Sequence, residues 1–311
     1  MTPIVRRYQG DADAWRIRAF LRETFLANER HEHGWHVARF DYANWHVCRN
    51  VADVQLEDIV WLWEADGRLV GLAMPDGGPG EAHLSLAPHV RSPDLEASVL
   101  EVAETELAAS TPEGARRLVV WAQADDTLRG DLLGARGYRR SGVAERQWRR
   151  HLTSPVSVAA PAPGYCVRAL GDGLELLERC YASGLAFHDG DERVALDNRA
   201  DPSWYRNIQR APLYRRDLDL VAVAHDGAVA GFVTAWFDDA TRSAVLEPVG
   251  VVPTHQRRGL GRALLTEALA RAQRLGATLA LVGGYDERAN ALYGSVMTDG
   301  ADVSEAWLRT W

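Results

Sequence analysis

The sequence predicts an α/β protein made of two tandem domains, each a mixed, largely antiparallel twisted sheet flanked by helices. The 311 residues suit two domains of about 150 residues each. The segment 152–164 (LTSPVSVAAPAPG) combines three prolines with small, uncharged residues, as a semi-extended linker does. An Asp-Gly pair at 66–67 recurs at 226–227, 160 residues later. We therefore expect a first domain at 1–151, a linker at 152–164 and a second domain at 165–311.

The same order of elements is predicted in each half: strand, hairpin, strand, helix, strand and helix. Each Asp-Gly pair lies between two apolar runs, which is typical of a β-hairpin. Downstream, 86–88 (Leu-Ala-Pro) corresponds to 251–253 (Val-Val-Pro), and an amphipathic helix follows each. Apolar runs at 117–123 and 278–283 predict one further strand per half. The second of these helices is the clearer, because its apolar residues recur at three- and four-residue steps before a capping glycine: Leu264, Leu265, Ala268, Leu269, Ala272, Leu275 and then Gly276.

Charge and composition exclude several classes of protein. Acidic residues (43) outnumber basic ones (35), so the formal net charge is −8 and no basic face for nucleic acid is expected. The chain has only three cysteines, an odd number, so we expect no framework of disulfides. This cysteine content is typical of proteins in a reducing compartment. No apolar stretch reaches the roughly 20 residues of a membrane span, and the first residues lack the apolar core of a signal peptide. We expect a cytoplasmic protein without nucleic-acid or membrane partners.

The segment 246–262 (LEPVGVVPTHQRRGLGR) carries the chemistry. Two glycines separated by a single residue, Gly259 and Gly261, precede the predicted helix. Because glycine has no side chain, backbone amides can approach an anion closely at this point, where the helix dipole is positive. Arg257, Arg258 and Arg262 add positive charge there. This pattern predicts a pyrophosphate-binding loop. No Lys-Ser/Thr pair follows the second glycine, which disfavours a nucleoside-triphosphate loop, and the third glycine of a dinucleotide fingerprint is absent.

The pattern V-x-P-x-x-Q-x-x-G-x-G resembles the acyl-CoA-binding signature of the GNAT superfamily of N-acyltransferases. In this chain it consists of Val251, Pro253, Gln256, Gly259 and Gly261. The resemblance implies two tandem GNAT-like domains and acetyl-CoA as the co-substrate, with a small-molecule primary amine as the acceptor. It also implies that the strand end holds the pantetheine arm and that the loop wraps the pyrophosphate; the implied contacts are Val249, Gly250, Val251, Gln256, Arg257, Arg258, Gly259, Leu260, Gly261, Arg262 and, on a later helix, Asn290.

The resemblance further implies a tyrosine that protonates the departing thiolate, at the position of Tyr293. A half-buried packing role is the alternative for this residue. Glu247 is the candidate base, because an amine that arrives as ammonium must lose a proton before it attacks. On a regular strand its side chain shares a face with Val249 and Val251. An exposed strand position, or an electrostatic clamp for a cationic substrate, is the alternative for Glu247.

The sequence departs from the family pattern at several positions. Asp286 replaces a common asparagine seven residues before the helix tyrosine, and Met297-Thr298 replaces a Gly-Phe pair. In the first half, Asp94 and Glu96 take the places of the two glycines, so like-charge repulsion is expected to prevent pyrophosphate binding. We therefore expect a degenerate first domain that supports the second and caps its acceptor site. A non-catalytic acyl-CoA sensor and a protein-lysine acetyltransferase remain alternative functions.

Histidines and tryptophans concentrate near residue 35. His31, His33 and His36 match no zinc-binding spacing, so no metal site is expected. Trp35, Tyr42 and Trp45 either pack within the fold or form an apolar wall for an aromatic or acyl acceptor.

Overall fold

The computed structural model describes residues 3–311, which form two compact units. The first unit contains the chain up to Gln147 together with Asp302–Trp311, and the second unit is Trp148–Ala301. The C-terminal strand thus belongs to the first unit, where its residues from Ser304 to Thr310 pair antiparallel with those from Gln123 back to Arg117.

Both units contain strands and helices. The strands are β1 (Ile4–Arg7), β2 (Trp61–Ala65), β3 (Arg68–Met74), β4 (Glu81–Leu86), β5 (Ala109–Ser110), β6 (Arg116–Gln123), β7 (Arg139–His151), β8 (Tyr165–Ala169), β9 (Asp219–Ala224), β10 (Val229–Asp238), β11 (Ser243–Val251), β12 (Leu279–Gly284) and β13 (Ala301–Thr310). The α-helices are α1 (Asp11–Ala27), α2 (Val37–Tyr42), α3 (Leu56–Ile59), α4 (Pro93–Val102), α5 (Thr127–Ala135), α6 (Leu174–Phe187), α7 (Glu192–Ala200), α8 (Ser203–Ile208), α9 (Leu260–Arg274) and α10 (Glu287–Gly294). A π-helical segment, Ala43–Ala52, continues α2.

The sheet of the second unit has the order β8-β9-β10-β11-β12. Its neighbours are antiparallel except β11 and β12, which run parallel. Helix α9 packs on this sheet through the predicted apolar stripe, of which all positions but the last are buried. Leu275, the last position, is 36% exposed because it lies beyond the end of the helix at Arg274.

The first unit repeats this order as β1-β2-β3-β4-β6, and here β4 and β6 form the parallel pair. Strand β13 follows β6 on its other side. The repeat confirms the predicted fold class of two α/β units with mixed, largely antiparallel sheets. Within residues 3–311, no helix combines the length and apolar character needed to cross a bilayer.

Candidate functional site

Strands β11 and β12 separate along their length, and this leaves one edge of β11 open. Their paired residues run from Ser243 to Val245 on β11, opposite Leu279 to Leu281 on β12. The rest of β11, up to Val251, extends past these pairs while remaining paired with β10 on its other edge. An open strand edge presents backbone N–H and C=O groups to which an extended ligand can add as a further strand. Val249, Gly250 and Val251 lie on this part of β11.

A β-bulge in β11 sets the direction of Glu247. Val233 pairs with Val249 and Ala235 with Leu246, so two residues of β11, Glu247 and Pro248, lie opposite one residue of β10. Such bulges change the direction of a side chain within a strand. The carboxylate of Glu247 is half-buried, and its backbone carbonyl accepts a hydrogen bond from the indole of Trp236. The strict alternation expected from sequence therefore does not hold between Glu247 and Val249.

The predicted pyrophosphate loop lies at the N-terminus of α9. Gly259 is the N-cap residue in a left-handed conformation (φ 74°), and no heavy atom lies within 4 Å of where its Cβ would be. The first hydrogen bond of the helix ladder joins the Ala263 N–H to the Gly259 carbonyl at 3.0 Å. The amides of Leu260, Gly261 and Arg262 precede this bond, so they form the positive end of the helix dipole.

The remaining loop residues divide into packed and exposed side chains. Leu260 is 1% exposed in the core of the unit, and Val249 and Val251 pack against the same core. Leu260 therefore offers a ligand only its backbone, whereas Val249 and Val251 are partly buried. The exposed Gln256 donates from Nε2 to the Val251 carbonyl (3.2 Å), which ties the loop to the end of β11. A Cβ on Gly261 would lie 2.7 Å from the tip of the Leu292 side chain, so this glycine also serves helix packing.

The three arginines of the loop are exposed but differ in their partners. Arg257 adopts a left-handed backbone conformation (φ 62°). The guanidinium of Arg258 lies 5.8 Å from the Tyr165 ring centroid. Arg262 donates from Nη2 to the Ser295 carbonyl at 3.0 Å. All three lie in the loop or the first turn at the N-terminus of α9.

Tyr293 lies on α10, in the same apolar core as the stripe of α9. Its side chain is buried, and burial is the main reason why its pKa is raised above the ordinary value. The negative charges of Glu247 and Asp286 raise the pKa further. The structure thus brings the two candidate catalytic residues within electrostatic reach of each other. At neutral pH this phenol keeps its proton.

Asn290 has a partner that the sequence does not suggest. Its side-chain oxygen accepts a hydrogen bond from the indole N–H of Trp148 at 2.8 Å. Gly284, at the end of β12, leaves room for it, because a Cβ there would lie 2.5 Å from the same oxygen. Sequence reasoning missed Trp148, Tyr165 and His255; the hydroxyl of Tyr165 lies 2.9 Å from His255 Nδ1. No local pattern marks these three, since each contact joins distant parts of the chain.

Two departures from the family pattern have structural explanations. Asp286 is the N-cap of α10, and its carboxylate accepts a hydrogen bond from the Ala289 N–H at 2.8 Å. Asparagine and aspartate are equally good at this position, so the change preserves the cap. Met297 is 1% exposed and fills the core next to Tyr293.

The first unit has different groups at the corresponding positions. Glu96, at a glycine position of the loop, is buried in ion pairs with Arg91 and with Arg129, the latter at 3.1 Å. Arg129 also donates from Nη1 to the Leu84 carbonyl (3.0 Å), on the part of β4 that extends past its pairs with β6. Asp126 caps α5 as Asp286 caps α10, and seven residues further the tyrosine is replaced by the buried Leu133.

The histidines noted in the sequence have separate partners. His36 caps α2 by accepting from the Ala38 N–H at 3.1 Å, and His31 Nδ1 lies 2.8 Å from Asp302. Within residues 3–311, no three histidine, cysteine, aspartate or glutamate side chains are grouped as metal ligands.

Comparison with known proteins finds a family match in the second unit. Residues 177–297 match the model of the acetyltransferase (GNAT) family. Mycothiol acetyltransferase of Clavibacter michiganensis subsp. michiganensis (strain NCPPB 382) is 30% identical over 219 residues, which are 66% of this chain and 64% of that protein. The match thus spans less than two thirds of this relative's length.

Solved structures resemble almost the whole chain. A GCN5-related N-acetyltransferase from Sphaerobacter thermophilus has a TM-score of 0.67 at 18% identity, over 99% of this chain and 95% of that one. A tandem GNAT protein from the clavulanic acid biosynthesis pathway has a TM-score of 0.64 at 16% identity, over 99% and 98%. At these identities the likeness is one of fold. Residues 177–297 thus match the acetyltransferase (GNAT) family, and the fold of the whole chain resembles that of a tandem GNAT protein.

Proposed function

We propose that the second unit transfers the acetyl group of acetyl-CoA to a primary amine of a small molecule. The observation that carries this proposal is the open edge of β11, which leads from Glu247 to the N-terminus of α9. An extended pantetheine arm and a diphosphate need these two features in this order. The family match and the acetyltransferase relative support the same activity.

The residues present fit coenzyme A. The backbone of β11 from Val249 to Val251 offers hydrogen-bond groups to the pantetheine amides. The amides of Leu260, Gly261 and Arg262 and the neighbouring arginines suit the diphosphate. Gly259 adds no side chain at the point where the diphosphate would approach, and the space beside its Cα is open.

Glu247 and Tyr293 divide the proton transfers between them. When bound, acetyl-CoA supplies a thioester carbonyl that an amine attacks directly. Glu247, directly or through a water molecule, accepts the proton that an ammonium group must lose. Tyr293, whose raised pKa keeps its phenol protonated, donates a proton to the departing sulfur.

A small-molecule acceptor is supported by the relative's name, which specifies a low-molecular-weight thiol compound, mycothiol, rather than a protein. The net charge of −8 favours cationic over anionic acceptors by long-range attraction.

A thiol-release screen tests the proposal. The purified full-length chain is mixed with acetyl-CoA and a panel of small amines, free thiol is followed with time, and the acetylated amine is identified by mass spectrometry. We expect turnover with at least one small amine. Saturable acetyl-CoA binding without turnover on a broad panel would identify a sensor and overturn the proposal.

Protein-lysine acetylation is tested in the same assay with lysine peptides. The chain contains no lysine, so any acetyl-lysine in the mixture must come from the added peptide rather than from the protein itself. Turnover with peptides but with no small amine would contradict the small-molecule acceptor.

A further inference from the structure

A recess in the first unit combines buried polar groups with aromatic rings and belongs to no part of the proposed acetyl-transfer site. It is a small cleft that opens to solvent, with a cavity volume of about 30 Å³. Its lining includes Glu32, Trp35, His83, Trp121, Gln123 and Glu145.

Two buried carboxylates beside the recess are paired with one arginine between them. Glu32 and Glu145, 4% and 5% exposed, share a single cation: Arg39 lies 2.7 Å from Glu32 and 2.8 Å from Glu145. Burial alone would raise the pKa of Glu32, but Arg39 holds it below its usual range, so the carboxylate stays ionised. Arg129 pairs with Glu96 instead, while Arg91 pairs with Asp126.

Gln123 adds a buried acceptor that lacks a donor. Its side chain is 91% buried, and its amide nitrogen donates to the Glu32 carbonyl (2.5 Å) and to Gln147 Oε1 (2.8 Å). These two bonds fix the orientation of the amide. Its oxygen then has no hydrogen-bond partner among residues 3–311. A buried carbonyl without a donor costs about 1–3 kcal/mol, so a donor from a ligand stabilises this arrangement.

Aromatic rings complete the lining. Trp35 lies 4.6 Å from His83 between ring centroids, and His83 stacks on Trp121 at 5.9 Å. Glu81 contacts both His83 and Trp121: its carboxylate accepts a hydrogen bond from the Trp121 indole and lies 3.2 Å from His83 Nε2. Indole faces attract organic cations.

We propose that this recess binds a small primary ammonium ion. Such an ion supplies the N–H donor that the Gln123 oxygen lacks. It also adds a second positive charge beside Glu32 and Glu145, which have only Arg39 between them. Its short alkyl group packs against the tryptophans. An alcohol of the same size lacks the charge, and a carboxylate has the wrong sign, so both are excluded by the same groups.

The test is an NMR titration of the ¹⁵N-labelled full-length chain with ethylammonium chloride, ethanol and sodium acetate at constant ionic strength. The indole N–H signal of Trp121 is identified by its loss in Trp121→Phe. We expect saturable shifts of this signal with ethylammonium only. Equal shifts with ethanol or acetate, or no saturable shift with ethylammonium, would overturn the proposal.

Variants assign the binding to the recess. Glu145→Gln is expected to weaken ethylammonium binding at least tenfold. Glu101→Gln, on the exposed face of α4, removes the same charge and is expected to leave the affinity for ethylammonium unchanged. Glu247→Gln also leaves the Trp121 shifts unchanged, because it alters the second unit only. Wild-type affinity in Glu145→Gln would refute the assignment. If that variant does not fold, the three-probe comparison on the wild type decides the question alone.

Discussion

The phenol of Tyr293 is 7% exposed, and its surroundings raise its pKa through burial first and through Glu247 and Asp286 second. Removal of the hydroxyl in Tyr293→Phe takes away the proposed proton donor without changing the packed ring. We expect kcat to fall by about 10²- to 10⁴-fold with KM for acetyl-CoA nearly unchanged. Thiol release measures both, with Tyr181→Phe as the control; a kcat within twofold of wild type would remove the acid role.

The same raised pKa predicts the alkaline side of the pH profile. An ordinary phenol with a pKa of 10.0 starts to lose its proton near pH 9, and kcat would fall with it. Because the pKa of Tyr293 is raised, we expect the kcat of the wild-type enzyme to show no alkaline decline up to pH 10. A decline that begins near pH 8 and disappears in Tyr293→Phe would contradict the direction of the shift.

Glu247→Gln tests the base. The variant keeps the size of the side chain but cannot take a proton, so only amine that arrives unprotonated can react. We expect a loss of about 10²- to 10⁴-fold at pH 7. The loss should shrink as the pH rises toward the amine's own pKa, about 10.4 for an alkylamine. Asp226→Asn, at the exposed hairpin, is the control. A loss that stays constant with pH would favour an electrostatic clamp over a base.

At the scale of elements, β10 and β11 meet at a cross-strand pair of Phe232 and Gly250. A Cβ on Gly250 would lie 2.3 Å from the Phe232 ring, which is fully buried and has the Arg179 guanidinium 3.5 Å from its centroid. The ring cannot retreat, so we expect Gly250→Ala to cost about 1–3 kcal/mol or more of unfolding free energy.

A double-mutant cycle separates this packing from other effects. Phe232→Leu makes room, so Gly250→Ala is expected to cost at least about 0.5 kcal/mol less in that background. Urea unfolding measures the four free energies. Gly134→Ala, on helix α5 where no atom lies within 4 Å of the added Cβ, serves as the control and should not destabilise. Additive effects of the two substitutions would show that the ring does not limit residue 250.

The elements also show how far local sequence patterns reach. The apolar stripe of α9 and the glycine loop before it can be predicted from periodicity and spacing. Both depend only on residues that are close together in the sequence, through the 3.6-residue helical repeat and the helix dipole. The bulge at Glu247 and the hydrogen bond from Trp148 to Asn290 cannot be predicted in this way. Both depend on pairing partners elsewhere in the chain, and Trp148 is 142 residues from Asn290.

At the scale of the whole molecule, the repeat was visible from Asp-Gly pairs 160 residues apart, but the membership of β13 in the first unit was not. Strand β13 pairs with β6 along a backbone ladder between residues that are far apart in the sequence. The local sequence of β13 therefore does not identify its partner. The two units share strand order yet differ in charge at the loop, where Gly261 corresponds to Glu96.

This difference predicts that one chain binds one molecule of acetyl-CoA. In the first unit, Glu96 and Asp94 place carboxylates in the first turn of α4. The Leu84 carbonyl, on the part of β4 that extends past β6, already accepts a hydrogen bond from Arg129. A diphosphate at the start of α4 would be repelled by these carboxylates. A pantetheine arm along β4 would have to compete with Arg129 for the Leu84 carbonyl. Titration calorimetry with the full-length chain should give a stoichiometry of one.

Charge reversal in the second unit then decides where that molecule binds. Arg258→Glu should abolish acetyl-CoA binding altogether, whereas Arg274→Glu, at the exposed far end of the same helix, changes charge equally and should retain it. Two equivalents in the wild type, or one equivalent that survives Arg258→Glu, would mean that the first unit binds acetyl-CoA despite Glu96. Such a result would also require the ion pairs of Glu96 with Arg91 and Arg129 to open, because they fill the place that the diphosphate needs.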